Sequence, residues 1–316
     1  LCQLQDIKIK SIFIGTKMQK DSFLEPIYSD FVVNEQPVRN ISSELYVHKG
    51  YDAIWRLSNA GFAIRLGNIV IFIDPIFTSP LPEYEMLRDS LKSNLLNRGA
   101  GVEKRFYNRR DNILKELHAL PLLSQEVESI DYVLITHDHG DHIDPKGLSG
   151  LSHLDPTVIA PESCHQDLLS AGFKPDSLVE ARFNEYHEFE NFSVTTIESD
   201  HANSKGACGY FIETQYGNIY TPGDGKFDQP AKNKIADLDV DYLLVPINDT
   251  NLGVGFAALL THMLQPRVVI PCHYGYTYPA VRSQGGHPAE FVTALAARNY
   301  KLPATDIVIL SPGGRM

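Results

Sequence analysis

The feature that most constrains the fold of this chain is a histidine-rich stretch placed directly after a short apolar run. Residues 136–142 read THDHGDH, and residues 132–135 before them read YVLI. Side chains two positions apart point the same way in extended backbone but not in a helix, so His137 and His139 predict a loop that leaves a strand. Five of the six residues from His137 to His142 carry groups that bind metal ions. The stretch therefore predicts a metal-binding loop; the alternative interpretation is a polar surface turn that holds histidines by chance.

Three further metal-binding side chains follow apolar β-like runs downstream. They are His201 after residues 192–198, Asp224 after 218–221 and His273 after 267–271. Each stands near glycine or another small residue, where the backbone can approach a buried ion closely. Since one motif supplies at most four ligands, these donors predict a site for two divalent metal ions. Imidazole suits Zn, Mn, Fe or Ni and carboxylate shifts the preference toward Mn or Zn, so the donor set leaves the choice of metal open.

Apolar runs and helical patterns alternate along most of the chain. Short β-rich runs separated by Asn-Ala-Gly and Gly-Asn predict a β-meander over 53–73. Strands and helices interleave over 131–310, which predicts an α/β fold of two packed sheets with helices outside. A charged segment over 83–125, helical in tendency, is expected to be an insertion. We expect one domain over 51–316, with residues 1–50 as an N-terminal extension that packs on it.

The charge balance disfavours several classes of partner. The 316 residues include 28 basic and 39 acidic ones, which gives a net charge of −11, whereas nucleic acids and anionic membranes attract basic surfaces. No apolar run approaches the roughly 18–20 residues that a bilayer span needs. The four cysteines are scattered without CxxC spacing, which favours reduced thiols. We therefore expect a cytoplasmic protein with no nucleic-acid partner and no membrane span.

The motif series as a whole resembles a known family. THDHGDH, the distal His201, the Gly-Asp of TPGD and the His of PCHYG are similar to the motifs of the metallo-β-lactamase fold, over roughly residues 52–312. This resemblance implies a four-layer αββα sandwich of two mixed β-sheets with outer helices. Within that superfamily, SIDYVLITHDHGDHID, AGVEK at 100–104 and RVVIPCHYG look most like the L-ascorbate-6-phosphate lactonase group. SNAGFAIRLGNIVIFIDPIF is also similar to the start of the N-acylphosphatidylethanolamine phospholipase D relatives.

The resemblance also implies a set of ligands and a reaction. The implied ligands are His137, His139 and His201 for one metal, Asp141, His142 and His273 for the other, and Asp224 between the two. Two cations at such a site can hold a hydroxide and polarise the carbonyl or phosphoryl oxygen that it attacks. Asp141 and Asp224 are the candidates for the catalytic acid that protonates the leaving oxygen.

The resemblance favours a metal-dependent hydrolase acting on a small polar lactone, with a phosphorylated sugar lactone as a candidate. A phosphodiesterase related to N-acylphosphatidylethanolamine phospholipase D is the first alternative, and a non-catalytic metal-binding protein is the second. Because every ligand position is filled, the second alternative is disfavoured. The expected partner is a small-molecule substrate, and assembly into a homo-oligomer is left open.

A few residues near the metal motifs are candidates for other roles. The substrate-binding candidates for an anionic substrate are Lys205, Lys226, Tyr274 and Arg282. Solvated surface charge is the alternative interpretation for each of these cations. Asp74 ends the meander and is expected either to orient a ligand histidine or to form a turn. Asp144, directly before Pro145, is expected to cap a helix N-terminus.

Overall fold

The structure of the protein is a computed structural model, in which strands are the main element. It describes residues 9–10, 41–46, 52–77, 115–116, 121–201, 204–226, 235–248, 252–274, 276–278, 282–283, 286–297, 305–310, 313 and 315–316. The strands are β1 (Ile9–Lys10), β2 (Ala53–Arg56), β3 (Phe62–Leu66), β4 (Ile69–Ile73), β5 (Lys115–Glu116), β6 (Tyr132–Leu134), β7 (Thr157–Ala160), β8 (Leu178–Glu180), β9 (Tyr186–Glu188), β10 (Phe192–Glu198), β11 (Cys208–Thr214), β12 (Ile219–Thr221), β13 (Tyr242–Pro246), β14 (Val268–Cys272), β15 (Tyr276–Tyr278), β16 (Arg282–Ser283) and β17 (Asp306–Val308). The α-helices are α1 (Ser42–Tyr46), α2 (Pro145–Leu148), α3 (Glu162–Ser170), α4 (Gly253–Leu264) and α5 (Pro288–Ala297), and the 3-10 helices are Ser124–Glu126, Ser152–Leu154 and Pro175–Ser177.

The strands form two large mixed sheets and one small sheet. The first large sheet has the order β2-β3-β4-β6-β7-β8, antiparallel as far as β4 and parallel from β4 onward. The second has the order β1-β17-β14-β13-β12-β11-β10-β9, parallel as far as β12 and antiparallel beyond it. The small sheet has the order β16-β15-β5.

The two large sheets pack face to face, and side chains alternate along each strand between this central core and the outer face of the sheet. Along β3, Phe62, Ile64 and Leu66 lie in the core between the sheets, whereas Ala63 faces the outer side. Tyr210 and Ile212 of the second sheet enter the same central core. This is the pattern expected of strands buried on both faces.

Helices cover the outer face of each sheet. Cys164 and Leu168 of α3 pack on the first sheet, together with Leu45 of α1. Leu260 of α4 and Phe291 of α5 pack on the second sheet. The layers therefore run helix, sheet, sheet, helix, which confirms the expected αββα architecture with two mixed sheets.

Several local predictions can be compared with the structure. The meander over 53–73 is confirmed as β2, β3 and β4. Asp144 caps α2, since its side chain accepts a hydrogen bond from the backbone N–H of Gly147 at 3.1 Å. The helical tendency expected over 83–125 is wrong at Lys115–Glu116, which form a strand paired with β15. Pairing with a strand from a distant part of the chain overrides a weak local preference.

The predicted division of the chain is only partly within the described residues. Most of the expected insertion over 83–125 and most of the expected extension over 1–50 lie outside them. Residues 41–46 are described: Ile41 and Leu45 are buried against the first sheet, and Arg65 donates hydrogen bonds to the carbonyls of Glu44 and Leu45 at 2.8 and 3.0 Å. The boundary at residue 51 stays a prediction. In the part of the chain that is described, no helix is both long enough and apolar enough to cross a membrane.

Candidate metal centre

The predicted metal-binding residues gather where the two large sheets meet at one end of the sandwich. The 136–142 loop follows β6 of the first sheet, and His201, Asp224 and His273 follow β10, β12 and β14 of the second. The sheets are tied together here by the backbone N–H of Cys208, which donates to the carbonyl of Thr136 at 3.0 Å. Since β6, β12 and β14 all present their carboxyl ends at this edge, residues far apart in sequence become neighbours.

Three histidines form the first group of donors. His137, His139 and His201 place one nitrogen each within 4.8 Å of one another. Nε2 of His201 lies 2.9 Å from Nδ1 of His139, and each pair of rings has its centroids 4.6–4.7 Å apart. His137 is fully buried, whereas the other two are partly accessible. This group is therefore accessible to solvent from the side of His139 and His201.

Two carboxylates and two histidines form the second group, and all four are buried. Nε2 of His273 lies 2.9 Å from Oδ2 of Asp224 and 3.2 Å from Oδ2 of Asp141. Nε2 of His142 lies 3.2 Å from the same oxygen of Asp224. The ring centroids of His137 and His142 are 4.0 Å apart, so the two groups stand side by side.

Hydrogen bonds behind the 136–142 loop fix which nitrogen His137 and His142 each turn toward the centre. Nδ1 of His142 lies 2.7 Å from Oδ2 of Asp74, an acceptor that requires the proton to sit on Nδ1. Thr136 Oγ1 donates to the same carboxylate oxygen at 2.6 Å and so accepts from Nδ1 of His137 at 2.9 Å. Both rings therefore turn Nε2 toward the centre.

Asp74 therefore takes the first of its two expected roles. It follows β4 at a positive φ of 43°, and one carboxylate oxygen accepts the backbone N–H of Thr136 at 2.7 Å. It orients His142 directly and His137 through Thr136. The predicted alternative, a plain turn, does not account for these contacts.

Charge in the second group is balanced between acids and bases. Burial alone would raise the pKa of the Asp224 carboxyl, but the adjacent His142 and His273 outweigh burial and hold that pKa well below its usual range. Burial would lower the pKa of His273, but Asp224 and Asp141 raise it to about 9. His142 is raised in the same way by Asp224 and Asp74, so its pKa lies well above the ordinary value.

The residues of both groups fit metal ions. The two carboxylates of the second group need positive charge close by, which here comes from imidazolium protons and which a divalent cation supplies equally well. In the first group, burial and the neighbouring His142 hold the pKa of His137 well below its ordinary value, so its ring is neutral. Nε2 of that buried ring has no hydrogen-bond partner among the described residues. A neutral, buried imidazole with an unused lone pair is suited to binding a metal ion.

Two contributors to the site were not singled out by sequence reasoning. Thr136 stands inside the motif but was not assigned a role. Asn59, in the turn between β2 and β3, lies 3.0 Å from Oδ2 of Asp141 through its side-chain nitrogen. The Asn-Ala-Gly punctuation was visible in the sequence, but it signalled only a turn.

Asp138 links the 136–142 loop to the loop that follows His201. The hydroxyl of Ser204 donates to its carboxylate at 2.5 Å.

The predicted substrate-binding residues have different surroundings. Lys205 and Lys226 are exposed, and the loops that carry them also carry His201 and Asp224. These loops pair through backbone hydrogen bonds between Asp200 and Lys226. The hydroxyl of Tyr274 donates to the carbonyl of Leu310 at 3.2 Å, and its ring packs against the guanidinium of Arg56. Both contacts hold Tyr274 in place.

The side chain of Arg282 lies outside what the structure describes. The roles of Arg282, Lys205, Lys226 and Tyr274 in substrate binding stay predictions. So do the roles of Asp141 and Asp224 as catalytic acids.

A family profile described as "Beta-lactamase superfamily domain" matches residues 54–273 of the chain. This span begins in β2 and ends at the last histidine of the second donor group. The chain therefore belongs to the β-lactamase superfamily domain family. Its sequence relatives include a UPF0173 protein of Pyrococcus furiosus, 30% identical over 183 residues, which cover 57% of this chain and 81% of the relative. A UPF0173 metal-dependent hydrolase of Symbiobacterium thermophilum is 28% identical over 200 residues, 62% of this chain and 84% of the relative.

Solved structures support the same superfamily fold. Igni18, a metallo hydrolase from the hyperthermophilic archaeon Ignicoccus hospitalis, superposes with a TM-score of 0.56 at 18% identity, over 84% of this chain and 97% of that protein. The predicted enzyme class is confirmed: the chain is a metal-dependent hydrolase of the metallo-β-lactamase superfamily. The closer similarity to the L-ascorbate-6-phosphate lactonase group stays a prediction.

Proposed function

We propose that the protein is a binuclear metal hydrolase that opens a small polar lactone, with a phosphorylated sugar lactone as the first candidate. The observation that carries the proposal is the side-by-side arrangement of two complete donor groups, with the rings of His137 and His142 4.0 Å apart. A protein that bound a single ion would need only one of these groups. The preference for a lactone rests on the similarity of three sequence segments to the L-ascorbate-6-phosphate lactonase group.

Each donor group is proposed to hold one divalent ion, Zn or Mn. The proposed ligands are His137, His139 and His201 for the first ion and Asp141, His142 and His273 for the second, with Asp224 shared between them. The first group offers only imidazoles, which favour Zn, whereas the two carboxylates of the second group also suit Mn. The partial exposure of His139 and His201 would let a substrate approach an ion held by the first group.

The residues around the ions divide the work of hydrolysis. Ions bound there would supply an activated water and a Lewis acid for the acyl or phosphoryl oxygen. Asp74 and Thr136 keep the protons of His142 and His137 on the far side of each ring, so that both rings are fixed before substrate arrives. Asp141 or Asp224 would take the proton from the attacking water and return it to the leaving oxygen, since both carboxylates belong to the second donor group.

Exposed lysines support a negatively charged substrate. Lys205 and Lys226 stand on the two loops that carry His201 and Asp224, so a phosphate attached to the substrate would be within the field of both. A lysine acts here as a mobile point charge and not as a rigid fork.

The test is a comparison of initial hydrolysis rates of Mn- and Zn-loaded protein on three substrates: a sugar lactone, a sugar-phosphate lactone and a generic phosphodiester. Asp224→Ala is the inactive reference, and Asp176→Ala, an exposed aspartate in the 3-10 helix before β8, is the matched control. We expect lactone turnover by the wild type and by Asp176→Ala, and none above background by Asp224→Ala.

The other outcomes select among the alternatives. Turnover of the diester alone would assign the protein to the phosphodiesterases. Two bound ions with no turnover of any substrate would remove the lactone from the proposal while leaving the metal centre. Fewer than two bound ions in the wild type would contradict the binuclear site itself.

The charge argument has its own test. Lys226→Ala should raise KM for the phosphorylated lactone more than for the uncharged one, while Lys174→Ala should change neither. Lys174 is a suitable control because it is exposed and precedes β8, at the opposite end of the strands. Equal KM changes for both lactones would remove Lys226 from phosphate recognition.

The cellular context of the protein also remains a proposal. We propose a cytoplasmic location, supported by the buried free thiols of Cys164, Cys208 and Cys272. Assembly into a homo-oligomer is open to measurement by light scattering.

A further inference from the structure

Asn59 occupies an unusual position for a polar side chain. It lies in the turn between β2 and β3, is only 1% exposed, and has a positive φ of 37°. Asparagine tolerates this left-handed conformation better than most residues, which explains an Asn in a turn. Tolerance of the turn does not explain why the amide is buried against the metal centre, since turn asparagines usually face solvent.

The side chain of Asn59 donates to a proposed metal ligand. Its Nδ2 lies 3.0 Å from Oδ2 of Asp141 and 3.2 Å from the main-chain oxygen of the same residue. Nδ2 also lies 3.2 Å from Nε2 of His273, which itself lies 3.2 Å from Oδ2 of Asp141. The three groups form a close triangle, so the amide fixes the carboxylate oxygen that faces His273.

The main chain of Asn59 holds the partner ligand. Its carbonyl accepts a hydrogen bond from the backbone N–H of His273 at 3.0 Å and another from Arg56 at 3.2 Å. His273 itself has a positive φ of 54°, a conformation that a histidine adopts only when neighbours enforce it. The guanidinium of Arg56 lies 4.4 Å above the ring of Tyr274 and so ties the turn to the loop after β14.

This matters because Asp141 and His273 belong to different sheets. Asp141 follows β6 of the first sheet and His273 follows β14 of the second, so no stretch of chain sets the distance between them. Asn59 contacts both, one through its amide and the other through its carbonyl. An error of an ångström between two ligands costs affinity for an ion that needs fixed distances.

We propose that Asn59 is a positioning residue for the second metal ion, setting Asp141 and His273 at the separation that ion requires. This inference rests on the binuclear site proposed above. Asn59 is not itself proposed as a ligand. Substituting it should weaken the second ion without affecting the group of His137, His139 and His201.

The chain offers a matched pair of substitutions for the test. Asn59→Gly removes the amide but retains a residue that adopts positive φ readily. Asn184→Gly makes the same replacement at another asparagine with positive φ, 62°, which is exposed and lies in the loop before β9. Any effect of the added backbone freedom should appear in both variants, whereas the loss of the amide should appear only in Asn59→Gly.

The measurement is a Zn and Co titration of metal-free wild type and both variants, followed by calorimetry and by the visible spectrum of bound Co. We expect Asn59→Gly to bind the first ion as the wild type does and the second ion about 10–100-fold more weakly, the range seen for residues that orient ligands. The Co spectrum of the second ion should change as well. Asn184→Gly should match the wild type in all three readouts.

Contrary results separate the two proposals. Identical second-ion affinity and Co spectrum in Asn59→Gly and wild type would overturn the role of Asn59 while leaving the binuclear site. Equal weakening of both ions would also overturn it, because a general loss of structure would then be the cause. A wild type that binds fewer than two ions would instead contradict the proposed function.

Circular dichroism tests whether Asn59→Gly is folded. If it is not, Asn59→Asp replaces it, because aspartate has the same size and also tolerates positive φ. That variant removes both amide donors and sets a carboxylate against Asp141, so an unchanged second-ion affinity would overturn the proposal.

Discussion

Oδ2 of Asp74 lies 2.7 Å from Nδ1 of His142, and the same carboxylate accepts both the N–H and the hydroxyl of Thr136. One buried side chain therefore receives three donors and, through them, orients two imidazoles of the candidate metal centre. The arrangement explains why the first strand meander ends in an aspartate and not in a neutral turn residue. An amide in its place has one acceptor oxygen and so cannot serve three donors.

Asp74→Asn should therefore weaken metal binding and lower stability together. We expect about 10–100-fold lower metal affinity because the orientation of His142 is lost. We also expect about 1–3 kcal/mol less free energy of unfolding because a buried donor is left without a partner. Metal titration and urea unfolding measure the two effects. Asp131→Asn is the control: Asp131 accepts the N–H of Val70 at 2.8 Å at the other end of β6, so its loss should leave metal affinity unchanged. Equal metal affinity in Asp74→Asn and wild type would contradict the orienting role.

Asp224→Ala should lose the proposed second ion, because it removes the carboxylate that the two proposed ions share. The carboxylate lies 2.9 Å from His273 and 3.2 Å from His142, and its removal leaves the two histidines without their principal counter-charge. We expect fewer than two ions per chain and no hydrolysis, measured by metal analysis after dialysis and by rate assays. Retention of two ions with full activity would remove Asp224 from the site. Asp176→Ala serves as the exposed control.

Gly223→Ala should destabilise the protein and displace Asp224. Gly223 has a φ of 61°, and a Cβ added there would stand 2.6 Å from the carbonyl oxygen of Cys208 and 3.2 Å from Cβ of Thr136. Gly67→Ala is the matched control, because Gly67 has a φ of 62° but nothing within 4 Å of an added Cβ. Both variants incur the cost of a left-handed alanine, about 1–2 kcal/mol. Only Gly223→Ala should lose further stability and metal affinity in thermal melts and metal titrations; similar losses in both would show that the close approach is not important.

Tyr210→Phe should lower stability without affecting metal binding. The buried hydroxyl of Tyr210 donates to the carbonyl of Ile135 at 2.7 Å and lies 3.1 Å from that of Ile159, so it links β11 to the first sheet. Its loss should reduce the free energy of unfolding by about 0.5–1.5 kcal/mol. The urea midpoint of Tyr210→Phe is compared with that of Tyr186→Phe, an exposed tyrosine on β9. A midpoint equal to the control would indicate that water replaces the hydroxyl at no cost.

Much of this protein follows from local sequence pattern. The spacing of His137 and His139 requires an extended or turned backbone, and β-rich runs punctuated by turn residues over 53–73 indicate paired strands, so the loop and the meander were predictable from neighbouring residues. Asp144 before Pro145 specified a helix start for the same local reason. The grouping of the distal His201, Asp224 and His273 was predicted from their positions after apolar runs, together with the family resemblance.

Other features depend on residues that only the fold brings together. Asn59 reaches Asp141 across 82 positions of sequence and His273 across 214, and no periodicity records such a contact. Lys115–Glu116 form a strand because β15 pairs with them, against their local tendency. The sequence by itself determined which groups can bind metal and which backbone can carry them. The packing of the two sheets decided which of these groups meet, because hydrogen bonds and charges act over a few ångströms of space and not along the chain.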